Sequence, residues 1–238
     1  MRTAGARVES GVTFVMPAFN EEATLEASTA LVLDMMSAEN IPFELIIVDD
    51  CSTDRTRQVA EDLSRQSDRV SVAHNTRNLG MGGAFKAGLA LAAQPYVMVL
   101  PADNEHPSEG IQPILGTMGS HDLVIPFVLN PEVRALHRRL LSRLYVFLVN
   151  LAFLQRIPYY NGLVLYKTDL LRSIEVKTNS FSFQTEAILK LLSRGATWKA
   201  VGVPLHKPTH TTTKAFRLKN VLGVLGTFIR LRLPGGLS

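Results

Sequence analysis

Cysteine is nearly absent: Cys51 is the only one in 238 residues. No internal disulfide can form, and a reducing compartment fits. The six histidines show no zinc-ligand spacing. No apolar run is long enough to span a bilayer, which takes about 20 residues. The longest, LYVFLVNLAFL (144–154), is short and closely flanked by arginines. The N-terminal MRTAGARVESG lacks an apolar stretch of the kind that marks a signal peptide. The expected location is therefore the cytoplasm, peripheral on the cytosolic face of a membrane. The second half is poor in acids. Residues 131–238 carry 17 Lys/Arg against 4 Asp/Glu, whereas residues 1–130 carry 8 against 17. A basic half attracts phosphates or an anionic membrane. It lacks interleaved aromatics and any reader motif, so no nucleic-acid partner is expected.

What is present is globular composition, with 46% apolar and 19% charged residues. Short apolar runs alternate with helical patterns. VTFVM (12–16), FELIIVDD (43–50), VSVA (70–73), YVMVL (96–100) and DLVIP (122–126) read as strands. Amphipathic stretches lie between them, one beginning at Ser52/Thr53 with Asp54 in its first turn. Continuous apolar strands separated by helices predict an α/β fold, a mainly parallel sheet with helices on both faces. The expected organisation is one domain in two halves, an acidic 1–130 and a basic 131–238.

Ligands in such sheets bind beyond the carboxyl ends of the strands. Those ends read PAFNEE (17–22), DDCSTD (49–54), HNTRNLGMGG (74–83) and PADNEHP (101–107). Acidic clusters at one rim suit a divalent cation, or hydrogen bonds from a sugar and a base. GMGG fails as a dinucleotide fingerprint, because Phe85 stands at the third glycine. It reads instead as a helix start that packs closely, with Arg77 a candidate phosphate contact.

VMPAFNEE, ELIIVDDCSTDRT, NTRNLGMGGAFKAGL and VLPADNEHP together resemble the family-2 glycosyltransferases. RRLLSR (138–143), NGLVLYKTDLL (161–171), FSFQTEAILKLLSRGA (181–196) and VGVPLHKPTHTTTKAFRLKN (201–220) are similar to the polyprenyl-phosphate, dolichol-phosphate mannosyltransferase-like sugar transferases. The resemblance implies a GT-A fold and inverting transfer of a sugar from a nucleotide-sugar donor to a lipid phosphate. It places Pro17, Phe19, Glu21, Asp50, Arg77 and Asp103 at the nucleotide. It implies a cation, Mg²⁺ or Mn²⁺, on Asp103 and Glu105, where hard carboxylate oxygens offset the diphosphate charge. Arg138, Arg139, Lys207 and Lys214 become candidates for the acceptor phosphate. Asp103 and Glu186 are the candidate catalytic residues, Glu186 as a general base or as an organiser of the site. Asp49, still within its strand, reads as structural.

This sequence departs from the family pattern in places. Pro101 replaces the first Asp of D-A-D-x-Q-H-P and Glu105 its Gln. Pro208 replaces the Arg of R-x-x-G-x-S-K. PFVLN (126–130) and PYYNGL (158–163) stand where other acceptor motifs belong. A transferase acting on a soluble or secondary-metabolite acceptor is one rival reading, and a non-catalytic nucleotide-sugar binding module is another. The C-terminal stretch 214–233 is apolar and basic with no acid. It predicts a helix lying in a membrane interface.

Overall fold

A computed structural model describes residues 11–205, 226–227, 229–233 and 235–237. Five strands fall where the apolar runs predict them: β1 (Val12–Ala18), β2 (Phe43–Asp49), β3 (Val70–His74), β4 (Tyr96–Val99) and β5 (Leu123–Val128). Between them lie α1 (Leu25–Ser37), α2 (Thr56–Gln66), α3 (Gly80–Leu91) and α4 (Ser108–Leu115). The later half adds α5 (Leu136–Phe153), β6 (Leu165–Lys167), α6 (Thr168–Arg172), α7 (Phe183–Ser193) and β7 (Trp198–Val203).

The strands form one seven-stranded sheet ordered β3-β2-β1-β4-β6-β5-β7. All neighbours are parallel except β6, which runs antiparallel to β4 and β5. This is the mainly parallel α/β sheet that the sequence predicts. Because β6 and β7 belong to the later half, both halves share one sheet.

Alternate strand residues feed opposite faces. Phe14, Met16, Ile47 and Met98 pack with α1 and α4 in one core. Val15, Ile46, Val97 and Val99 pack with α3, α5 and α7 in the other. Helix α3 lies close against the sheet because Gly88 has no side chain. A Cβ there would stand 2.4 Å from Val15 Cγ1.

Candidate active site

Parallel pairing of β1, β2, β3 and β4 brings their carboxyl ends to one rim. Three of the four loops there carry a non-glycine residue in the left-handed region: Asn20 (φ 57°), Cys51 (φ 63°) and Asn104 (φ 54°). Such conformations cost free energy and concentrate at functional sites. The loops brace each other. Asn20 Oδ1 accepts from Thr53 N at 2.8 Å, and Asn20 N donates to Ser52 Oγ at 3.1 Å. Glu22 accepts from Arg55 N at 3.0 Å, and Glu21 N donates to Thr56 Oγ1 at 2.8 Å. Ser28 Oγ of α1 donates to Ala102 O at 3.0 Å, tying the 101–107 loop to the same rim.

The start of α2 differs from the sequence expectation. The helix begins at Thr56 rather than near Ser52, because the 52–55 stretch serves the β1 loop. Asp54 Oδ1 instead accepts from Thr56 N and Oγ1. Partial burial opposes ionisation of Asp54, but these hydrogen bonds prevail and hold its carboxyl below the usual range.

Pro17 is buried within β1, Phe19 is exposed just beyond it, and Glu21 opens the turn into α1, its Oε2 accepting from Thr24 Oγ1. Asp49 is buried, accepting from Ser52 N and facing His74 Nδ1 at 3.4 Å, which agrees with its structural reading. Asp50 is also buried, at 3% exposure. Its carboxylate accepts from Asn75 Nδ2 at 2.7 Å, Leu79 N at 2.9 Å and Gly80 N at 2.7 Å. It thus anchors the N-terminus of α3. Arg77 is exposed in the loop between Asp50's partners.

The 101–107 loop carries Asp103 and Glu105, both half-buried. Asp103 Oδ1 accepts from Glu105 N at 3.2 Å, so the two carboxylates share one tight turn. No group of three or more His, Cys, Asp or Glu is placed to hold a metal among the described residues. Two carboxylates nevertheless fit Mg²⁺ or Mn²⁺ bound mainly through substrate phosphates, which takes one or two protein carboxylates. His106 follows in the same loop. Burial pushes its pKa down, Asp103 opposes that, and the guanidinium of Arg134 adds to it. Arg134 therefore lies near His106. Its Nη1 donates to Tyr159 Oη at 3.0 Å, and its guanidinium sits 5.9 Å from that ring. The sequence reading missed Arg134. The signal was an arginine close behind β5, ahead of the RRLLSR run.

Arg138 and Arg139 lie half-buried on α5. Arg139 Nε is buried without a hydrogen-bond partner among the described residues. Lys207 and Lys214 lie outside the described residues.

Glu186 is fully buried in the first turn of α7. Oε1 accepts from Lys177 N at 3.0 Å, and Oε2 from Thr178 N at 2.9 Å and Arg230 Nη2 at 2.7 Å. Lys190 Nζ stands 3.7 Å from Oε1. An enclosed carboxylate with both oxygens engaged is not placed to take a proton from an acceptor. The general-base expectation for Glu186 is corrected, and the organiser geometry is what remains. Most of the C-terminal stretch 214–233 lies outside the described residues, and its described part packs one side on the domain. Thr227 and Leu231 are buried at 4% and 3%, and Leu231 joins the α3/α5/α7 core. A buried carboxylate draws Arg230 inward, because burial without a charge partner is costly.

The chain shares 25% identity over 202 residues with a dolichol-phosphate mannosyltransferase of Pyrococcus furiosus, covering 81% of this chain and 55% of the relative. It shares 28% over 97 residues with a dolichyl-phosphate beta-glucosyltransferase of Trichomonas vaginalis, covering 39% of this chain and 30% of that one. The chain thus spans about half or less of the length of these relatives. Among solved structures, glucosyl-3-phosphoglycerate synthase of Mycobacterium tuberculosis superposes with a TM-score of 0.68 at 20% identity, over 94% of this chain and 79% of that one. It was crystallised with uridine diphosphate, and also with Mn²⁺, uridine-diphosphate-glucose and phosphoglyceric acid. The sheet is that of a GT-A glycosyltransferase. Residues 13–177, which include every rim loop described above, match the model for glycosyl transferase family 2, and the chain belongs to that family.

Proposed function

We propose that this glycosyltransferase moves a sugar from a nucleoside diphosphate donor onto the phosphate of a polyprenyl lipid at a membrane surface, with inversion. The observation that carries the acceptor is α5. Leu136, Leu140, Leu144, Phe147, Leu148 and Leu151 are all exposed on it, recurring every three or four residues as one apolar face. Its other side packs on the core through Tyr145, Val146, Val149 and Phe153. Arg138, Arg139 and Arg143 share its first half, and Arg134 precedes it. An apolar face beside cations suits a lipid tail next to its anionic head. No helix among the described residues is long and apolar enough to cross a membrane. The names of the Pyrococcus and Trichomonas relatives point the same way.

In this reading Pro17, Phe19, Glu21, Asp50 and Arg77 form the nucleotide side of the rim. Asp103 and Glu105 would hold the cation, which when bound neutralises charge on the departing diphosphate. Arg134, Arg138 and Arg139 hold the acceptor phosphate, whose oxygen attacks the anomeric carbon opposite the breaking bond. The bond's electron pair leaves with the nucleoside diphosphate. A phosphate monoester is mostly ionised at neutral pH, with a second pKa of about 6. It needs no general base, which accords with an enclosed Glu186.

The test offers uridine and guanosine diphosphate sugars with Mg²⁺ or Mn²⁺ to the full chain. Polyprenyl phosphate in liposomes and soluble phosphoglycerate serve as rival acceptors. Transfer to the lipid is expected. Asp103→Asn should reduce it by about a hundredfold or more, since removing one preorganised electrostatic contact to developing charge costs that much. Transfer to phosphoglycerate alone would reject the lipid acceptor. Nucleotide binding with no transfer would leave a binding module.

A further inference from the structure

We propose that Arg230 is a positioning residue for the donor site, acting from the C-terminal helical segment through Glu186 and the 177–182 loop onto the first turn of α3. The proposal rests on the nucleotide-site reading above. Residues 226–227 and 229–232 are helical and lie against α7. From there two ties reach the same loop. Arg230 Nη2 donates to Glu186 Oε2 at 2.7 Å, and Glu186 in turn accepts from the successive backbone N–H groups of Lys177 and Thr178. The second tie is a row of hydroxyls: Thr178 and Ser180 at 2.9 Å, Ser180 and Ser182 at 2.7 Å, Ser182 and Thr227 at 3.0 Å.

The loop so held presses on α3. Asn179 O accepts from Gly82 N at 3.0 Å. A Cβ on Gly82 would stand 2.8 Å from Phe183 Cβ and 3.0 Å from Thr178 O, so loop and helix meet backbone to backbone. Lys86, one turn further along α3, donates to Val176 O at 2.9 Å. From the other side, Asp50 grips Leu79 N and Gly80 N. Residues 79–82 are therefore clamped between the end of β2, where the nucleotide is read, and a loop whose shape depends on a fully buried carboxylate. Lys190, the other cation near Glu186, also donates to Glu175 O. Arg230 brings a hydrogen bond to Glu186 from outside the 174–190 stretch. Losing it removes a charge-assisted hydrogen bond from a buried carboxylate oxygen, and the loop is what can move to rehydrate it.

The experiment measures uridine and guanosine diphosphate binding by calorimetry, with Mg²⁺ or Mn²⁺, well below the melting temperature of each variant. Arg230→Met is expected to remain folded by circular dichroism and to lose tenfold or more in affinity. Arg230→Lys should regain most of it, since it restores the charge. Gly82→Ala, which pushes loop and helix apart while leaving Arg230 in place, should show a comparable loss. Wild-type affinity in folded Arg230→Met overturns the proposal and leaves Arg230 a purely structural residue. Should Arg230→Met not fold, Thr227→Ala breaks the hydroxyl tie with Arg230 in place, and it should weaken binding severalfold. Unchanged affinity in that variant equally overturns the proposal. Failure of the wild-type chain to bind either nucleotide removes the donor-site reading along with it, an outcome distinct from both.

Discussion

Asp50 serves three donors with two oxygens, two of them backbone N–H groups at the start of α3. Asp50→Ala would remove the partner of two backbone N–H groups and an amide in a partly buried site. Unsatisfied buried groups cost about 1 to 3 kcal/mol each, partly relieved by relaxation. The expected loss is about 3 kcal/mol in urea denaturation, with nucleotide affinity falling as well. Full stability with lost affinity would mean that Asp50 only touches ligand. Asp122 gives a second case, away from the rim. Its carboxylate accepts from Lys167 Nζ at 2.7 Å, Thr197 N at 2.8 Å and Thr197 Oγ1 at 2.7 Å, joining the starts of β5 and β7 to the end of β6. The Lys167 hydrogen bond, followed by that of the Thr197 N–H, holds its pKa at about 2 against a usual 3.8. A depressed folded-state pKa stabilises above the unfolded value and ceases to do so as pH falls through the folded one. Asp122→Asn should therefore cost about 1 kcal/mol at pH 7, discounted for partial exposure of the pair. The gap from wild type should close between about pH 4 and pH 2. A gap constant down to pH 2 would rule out the charge as its source. The two aspartates of DD were legible in the sequence as a strand end at a ligand rim. Which oxygen meets which donor was not, because Cys51 turns left-handed between them and the Ser52 turn.

At the scale of elements, β1 to β5 were readable because each is a nearly continuous apolar run, the signature of a strand covered on both faces. β6 was not. It has three residues inside NGLVLYKTDLL and gains its place only by pairing with β4 and β5. The close-packed start of α3 was readable from its glycines, and Gly82 bears it out. The inward packing of the described part of the C-terminal stretch was not legible either. A row of cations with no acid resembles a membrane helix until one cation finds a buried acid distant in sequence, as Arg230 finds Glu186. α5 is the contrary case, since its apolar face stays open. Because those leucines are exposed, replacing Leu140, Leu144 and Leu151 together by Ser should change stability by no more than about 0.5 kcal/mol per site. Flotation with anionic liposomes should fall by tenfold or more, while nucleotide affinity is kept. Undiminished flotation would show that another surface meets the membrane. A large drop in melting temperature would show that the face is covered by the protein itself.

Across the whole molecule, charge and apolar exposure are divided in the same direction. The rim of β1 to β4 comes from the acidic half of the chain, which carries 17 Asp/Glu against 8 Lys/Arg. α5 opens the basic half, and Arg138, Arg139, Arg143 and Arg156 lie on it or just beyond its end. An anionic surface should attract the second region and repel the first. That would orient the protein with α5 toward lipid and keep the anionic donor's site from facing headgroups directly. Each basic residue near such a surface contributes about 1 kcal/mol, and the attraction fades beyond a Debye length, about 10 Å at 0.1 M salt and 3 Å at 1 M. Binding to vesicles with a third of their lipid anionic should therefore be strong at low salt and fall by at least tenfold toward 0.5 M. Binding to neutral vesicles should be weak and nearly independent of salt, since only the leucine face contributes there. Arg138→Gln combined with Arg143→Gln should flatten the salt dependence without abolishing the residual apolar binding. Equal binding to neutral and anionic vesicles at every salt concentration would show that the charge division plays no part in orienting the enzyme.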